Sequence, residues 1–288
     1  MVPAYNASAT VGHAVDSALA SGADEVIVVD DGSEDDTAAV AKTHGATVIV
    51  QANMGASKAR ASGIAAAEGE AVVLLDADDE LVPEGVRQSV RVLGSQPDAV
   101  AAGGRTRGVW PSGAEADWPI KYQEITLDAM LESGFGPWPP GAAVIRRSAL
   151  MSDDPRLPEA LHTRYAEDYE LFIRLALVGR TMRHENVSLR YRLYAGKATT
   201  SAAKVLECKQ RIRKYYGAWL DTPDFALTDR ELLCQTLLYR ARHAQVARRE
   251  AEAVVWLVRA ALVHPAELVK SAQQFLRGRG SMGIRAPQ

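Results

Sequence analysis

The chain has 288 residues, 47% of them hydrophobic and 24% charged, with a formal net charge of −3. That make-up belongs to an ordinary globular protein, long enough for one large domain with an appendage or for two small domains. Two cysteines, Cys208 and Cys234, with no Cys or His at ligand spacing, argue against a disulfide framework and a zinc site, and read as reduced, buried thiols.

Charge is unevenly spread. Residues 205–288 hold 14 Lys and Arg against 8 Asp and Glu, a net of +6, and residues 1–204 hold 19 against 28, a net of −9. The acidic lobe lacks the basic, aromatic-interleaved face that nucleic-acid binding needs. The segment after Met1, Val-Pro-Ala-Tyr-Asn, is not the basic and apolar leader of a signal peptide. The strongest apolar stretch, 251–263, carries Glu252 and Arg259 and falls short of the roughly 20 residues that span a bilayer. The expectation is a cytoplasmic protein. Its basic C-terminal helices are either a solvated face or a peripheral contact with the anionic inner face of the membrane.

Along the chain, residues 11–21 suit a helix that only Met1-Val2 and Pro3 precede, so the leading strand looks clipped. Strands are expected at 25–29, 47–50 and 71–75, and another opens at 99–102. Between them lie helices at 35–43, with Ser33 as a plausible N-cap, at 56–68 and at 83–93 with Pro83 at its start. This alternation implies right-handed βαβ units and a parallel sheet. Residues 110–141, rich in Pro, Gly and Trp, read as long loops with one short helix at 127–132, the kind of segment that carries substrate contacts. A strand at 141–145, a helix at 165–178 ending on Gly179 and a strand at 187–193 follow. From 205 to about 276 everything reads as helix, broken at 221–228 and at His264-Pro265. The expected domains are therefore 1–204 and 205–288.

The most informative feature is the apolar run Ala71-Val72-Val73-Leu74-Leu75 passing directly into Asp76-Ala77-Asp78-Asp79. Ligands of open α/β sheets bind beyond the carboxyl ends of strands. Three carboxylates there repel one another unless a cation or a hydrogen-bonding ligand offsets them. Oxygen ligands suit Mg²⁺ or Mn²⁺, which is commonly shared with substrate phosphates. Alone, such a D-x-D is as readily a solvated strand end or a helix cap.

Here it is one of four motifs in order: Val2-Pro3-Ala4-Tyr5-Asn6, Val29-Asp30-Asp31-Gly32-Ser33 with Asp36-Thr37, Asp76-Ala77-Asp78-Asp79, and Glu167-Asp168-Tyr169-Glu170-Leu171 with Arg174. Asn53-Met54-Gly55, leading to Arg60, lies between the second and third. Over residues 1–195 this order resembles family 2 glycosyltransferases, inverting enzymes of the GT-A fold that use nucleotide-diphospho-sugars. The fold class expected is accordingly α/β, a Rossmann-like, mostly parallel sheet flanked by helices, with a C-terminal helical appendage.

The resemblance implies roles. Pro3, Ala4 and Tyr5 would line the nucleobase, and Asp31, or Asp30 beside it, would accept the imide N–H of uracil or thymine. Arg60 would lie by the nucleotide, although a solvated helix arginine is the competing reading and Ala61 stands where the family usually has Asn. Asp76 would reach the ribose with Ala77 beside it, Asp78 would bind Mg²⁺ or Mn²⁺, and Asp79 would support the metal shell or cap the next helix. Asp168 matches the general base, with Glu167 beside the sugar; a helix N-terminal carboxylate is the alternative for this pair. Trp138, in Gly136-Pro-Trp-Pro-Pro-Gly141, could stack on a sugar or simply pack. Arg192 resembles a basic residue near the diphosphate, and Lys197 could serve beside it.

The implied reaction is metal-assisted transfer from a UDP- or dTDP-sugar to a saccharide, a lipid-linked glycan or a small-molecule acceptor. Two other readings compete. A GT-A nucleotidyltransferase would carry Arg and Lys in a Gly-rich loop after the first strand, and 6–13 contains neither. A non-catalytic nucleotide-binding scaffold would not need Asp31, Asp78 and Asp168 together.

Overall fold

The computed structural model describes residues 1–118, 120–161, 163, 165–193, 202–221, 228–246, 249–266 and 268–269. They fall into two compact units. The first holds Met1–Met130 and Gly136–Leu193, and the second holds Leu131–Phe135 and the helices beyond residue 201.

The first unit opens as three parallel strands in the order β1 (Val2–Ala4), β2 (Ile27–Asp30), β3 (Thr47–Val50). They alternate with α1 (Val11–Ala20), α2 (Thr37–Thr43) and α3 (Ala56–Ala66), as their sequence periods imply. Val2, Val11, Val15, Val28 and Ala41 make the core where α1 and α2 meet the sheet. The second half is mixed, in the order β4 (Ala71–Val72), β8 (Ala143–Arg146), β6 (Ala99–Val109), β9 (Arg180–Arg192), β5 (Glu80–Leu81). Only β6 and β9 run parallel in that order, and the short β7 (Glu115–Asp117) folds back on the end of β6. α4 (Pro83–Ser95) covers β6 and β9, and Leu93, Ala99, Ala102 and Val144 form its core.

The two halves join through the first residue. The Met1 amine donates to Val73 O (2.9 Å) and Leu75 N–H donates to Met1 O (3.1 Å), the pattern of a parallel rung. Pro3 cannot supply the N–H of the next rung, and among the described residues no further backbone bond joins the two segments. The paired backbones therefore part just before Asp76, at the carboxyl ends of the strands.

Four local expectations differ from the structure. The strand predicted at 71–75 is regular only over Ala71–Val72, because residues 73–75 pair with Met1 alone. α2 begins at Thr37 rather than Asp35, and Ser33 does not cap it: its Oγ accepts Asn6 N–H (2.9 Å). Strands β6 and β9 extend far beyond 99–102 and 187–193, since each finds the other as a long partner. β7 was hidden because its Glu-Ala-Asp sequence has no strand character, and Arg107 holds it in place through Asp117 (2.6 Å).

The first unit continues through α5 (Leu127–Ser133), which straddles both units, α6 (Arg147–Leu150) and α7 (Glu167–Val178). The second unit adds α8 (Ala202–Trp219), α9 (Asp229–Val246) and α10 (Glu250–Val263). Cys234, Leu237, Leu238 and Ala260 pack α9 on α10, and Arg240 and Arg259 lie over the Trp256 ring. Both cysteines are free thiols. Among the described residues no helix is long and apolar enough to cross a membrane.

Gly85 lets α4 lie directly on β9, because a Cβ there would sit 2.1 Å from Val187 O. A backbone carbonyl cannot rotate away as a side chain would. Gly85→Ala is expected to destabilise the protein by about 1–3 kcal/mol or more, read as a lowered urea midpoint. An unchanged midpoint would refute this packing.

Candidate active site

Each carboxylate motif ends a strand or heads a helix, and Arg60 and Tyr191 link the Asp76–Asp79 segment to the head of α7. After β2, Asp30 accepts Ser33 N–H (2.9 Å), which closes the turn. Asp31 is buried and holds the loop before α3: Oδ1 accepts Gln51 Nε2 (2.8 Å) and Met54 N–H (3.0 Å), and Oδ2 accepts Gly55 N–H (2.7 Å). Gly55 stands at φ 89°, a left-handed conformation that any side chain would strain. Three of the roughly four lone-pair sites of this carboxylate are thus engaged, and about one is open. Pro3 and Ala4 are buried in β1, with Ala4 O accepting Asp31 N–H (2.8 Å), while Tyr5 is exposed beyond them.

Arg60 projects from α3 into the interior, with only 11% of its side chain exposed. Its Nη2 donates to Asp76 Oδ1 (2.7 Å) and its Nη1 to Glu167 Oε1 (3.0 Å). Burial disfavours its charge, but the two facing carboxylates outweigh that and hold its pKa above the ordinary value. The solvated-arginine reading is thereby corrected: Arg60 clamps the acidic strand end to the head of α7. Ala166, just before Glu167, adopts φ 60°, ψ 27°, strained for a residue with a Cβ. This kink starts α7 with Glu167 and Asp168 in its first turn. Asp168 Oδ1 accepts Tyr169 N–H (2.8 Å). The rest of the motif anchors the helix, through Tyr169 OH to Met130 O (3.0 Å), Glu170 Oε1 from Leu161 N–H (3.1 Å) and Arg174 to Pro158 O (2.9 Å).

In the acidic triplet, burial and then the Asp76 charge raise the pKa of Asp78. The same two causes, in the same order, push Asp79 up to about 9. Asp79 is 2% exposed and accepts Arg192 N–H (2.9 Å), so it does not cap α4, whose N-cap is Val82. The Arg192 side chain pairs with Glu80, which also takes Arg190 (2.9 Å). Tyr191, to which the sequence reading gave no role beside Arg192, lies among these groups. Burial raises its pKa first, and the charges of Asp79, Asp76, Asp78 and Asp168 raise it further. Asp168 and the triplet therefore act on one phenol. Ala77 is buried between its neighbours.

Trp138 packs edge-on against Phe172 of α7, ring centroids 6.0 Å apart, and lies over Gly103. Its packing role is thus visible. Lys197 lies outside the described residues. Gln51 was also missed: it bonds Asp31 and accepts Ser62 Oγ (2.7 Å), and its place at the carboxyl end of β3 was the available signal.

Among the described residues no three His, Cys, Asp or Glu are arranged to hold a metal by themselves. The donor set nonetheless fits a hard cation that brings its own ligands. Asp78 is a carboxylate whose ionisation burial and Asp76 oppose, and a divalent ion sharing substrate phosphates would relieve that repulsion.

Comparison with known proteins agrees with this architecture. The family model Glycosyl transferase family 2 matches residues 1–152, more than half of the chain, and the chain belongs to that family. It is 33% identical over 193 residues to the succinoglycan biosynthesis protein ExoO of Rhizobium meliloti, a match covering 59% of this chain and 53% of ExoO, so the match spans about half the length of that relative. In fold it is similar to TarS of S. aureus in complex with UDP-GlcNAc, with a TM-score of 0.58, 20% identity, and 93% of this chain and 81% of that chain covered. Glucosyl-3-phosphoglycerate synthase from Mycobacterium tuberculosis, in complex with Mn²⁺, UDP and glucosyl-3-phosphoglycerate, superposes with a TM-score of 0.50 at 23% identity, covering 77% of this chain and 79% of that chain. The expected GT-A class of fold is the one observed, three parallel strands flanked by helices and continued by a mixed sheet.

The Asp79 environment gives a pH signature. Its pKa rises from 3.8 in the unfolded chain to about 9, so folding takes up a proton between those values. The stability from this group is full below about pH 4 and is lost as pH climbs towards 9. Asp79→Asn keeps an oxygen for Arg192 N–H and does not titrate. In chelator, its melting-temperature gain over wild type should be larger at pH 8.5 than at pH 5. An equal difference at both pH values would contradict the assignment.

Proposed function

We propose that the protein is an inverting glycosyltransferase that moves a sugar from a nucleotide-diphospho-sugar, UDP or dTDP preferred, to an acceptor hydroxyl. The observation that carries this reading is the Arg60 clamp, which ties the Asp76 strand end to the Glu167-Asp168 helix head. Family membership, the polysaccharide role in the name of ExoO, and the UDP-GlcNAc and UDP–Mn²⁺ complexes of the two fold neighbours support it.

In this reading Pro3, Ala4 and Tyr5 line the base, and Asp31 uses its remaining lone pair for the imide N–H, with Asp30 holding the turn. Asp76 and Ala77 meet the ribose. Asp78 would hold Mg²⁺ or Mn²⁺, and Arg192 would add positive charge beside the diphosphate. When bound, the ion stabilises the charge that builds on the leaving diphosphate. Asp168 accepts the proton of the acceptor hydroxyl as its oxygen forms a bond to the anomeric carbon. The bond from that carbon to the diphosphate breaks on the opposite face, and its electron pair leaves with the nucleoside diphosphate. Glu167 and Trp138 border the sugar.

The acceptor class is a saccharide, free or lipid-linked, or a small molecule. Peripheral attachment to an anionic membrane is supported by the net +6 of residues 205–288 and by the face of α10 that leaves Val254, Val255, Val258 and Leu262 exposed.

Asp168→Asn should abolish transfer while UDP binding in Mn²⁺, read by calorimetry, stays near wild type. Asp78→Ala should weaken UDP binding in Mn²⁺ and leave the residual metal-free binding unchanged. Full turnover by Asp168→Asn would remove the base assignment.

A further inference from the structure

Beside the acidic centre lies a small cleft, open to solvent, with an enclosed volume of about 40 Å³. Two tryptophans wall it, Trp118 and Trp138, together with Arg105, Thr106, Lys121 and Arg183. Among the described residues none of its lining is Asp or Glu. Both indoles rest on glycines of β6: a Cβ on Gly103 would stand 2.5 Å from the Trp138 ring, and one on Gly108 2.6 Å from Trp118 Nε1. The strand is therefore bare where the two rings need room.

Among the described residues, four buried polar atoms of this lining have no hydrogen-bond partner: Arg105 Nε, Trp138 Nε1, Thr106 Oγ1 and His184 Nδ1. Orphaned buried polar atoms are rare in folded proteins, and four in one lining is a concentration that packing does not explain. Arg105 is also weakly paired. Asp117 approaches it at 3.7 Å but binds Arg107 at 2.6 Å. Trp118 meets Tyr191 on its other side (ring centroids 5.0 Å), and Tyr191 lies under the charges of the triplet and Asp168. The cleft and the acidic centre therefore share a wall.

We infer that this cleft takes the carboxylate or phosphate of an anionic saccharide unit of the acceptor on Arg105, while the sugar ring lies across its mouth with its apolar C–H face against an indole. The inference rests on the transferase reading and gives it an acceptor class. A neutral sugar would leave the guanidinium donor unmatched, whereas an anion satisfies it through a charge-assisted bond. Thr106 and Trp138 then serve ring hydroxyls.

The test is titration of the full chain with cellobiouronic acid, glucose 6-phosphate and neutral cellobiose, followed by saturation-transfer NMR. At least one charged probe should bind about tenfold or more tightly than cellobiose, the effect of one charge-assisted contact. The carboxylate and phosphate arms show which anion is used. Arg105→Gln should bring the charged probes down to the cellobiose level, and Arg105→Lys should restore part of the preference. UDP affinity in Mn²⁺ should be the same in all three proteins, which also shows that the variants fold. Equal binding of charged and neutral probes, no binding of any probe, or a preference that survives Arg105→Gln would overturn the inference. UDP binding without sugar-acid binding refutes the cleft alone. Sugar-acid binding without UDP binding refutes the donor reading alone.

Discussion

One buried guanidinium organises the acidic centre. Arg60 spans Asp76 and Glu167, residues from parts of the chain separated by some ninety positions, and is almost fully removed from water. A charge in that position is tolerated only because both carboxylates face it, and removing one partner of such a cluster typically costs about 3–5 kcal/mol. The arginine therefore does more than neutralise charge. It fixes the spacing between the end of the acidic strand segment and the first turn of α7, the two elements that must act on opposite ends of one sugar in the proposed reaction.

The surrounding backbone makes room for that cluster. Pro3 ends the rung between β1 and the segment after β4, so the sheet parts where Asp76 starts. Asp31 gathers the loop that launches α3 and thereby sets where Arg60 emerges. The strained Ala166 turns the chain sharply into α7. Each device is local, yet all converge on one place, and the leftover carboxylate repulsion within the triplet is what a divalent cation would relieve.

How much of this the sequence revealed depended on the kind of signal. The parallel half was legible because strands such as Ile27–Asp30 and Thr47–Val50 are continuous apolar runs bounded by turns and helices of regular period. The strand-end acids and the Glu167-Asp168 pair stood out through their order with the other motifs, since each alone reads as readily as a solvated strand end or a helix N-terminal carboxylate. Three features were not legible. Arg60 looked the same buried or solvated, since only the approach of α7, more than a hundred residues later, decides the matter. Tyr191 reads as an ordinary strand residue until β9 pairs with β5 and brings it to the acids. The β7 return has no local strand preference and exists through the Arg107–Asp117 pair.

The account stands or falls on the coupling through Arg60. A double-mutant cycle of Arg60→Met and Glu167→Gln, followed by urea unfolding and by sugar transfer from a UDP-sugar, tests it most directly. The cycle should give a coupling of about 1–3 kcal/mol in stability, with each single variant losing most turnover. Additive stability changes, with turnover kept in Arg60→Met, would mean that the acidic strand end and the helix head are not held together by this side chain.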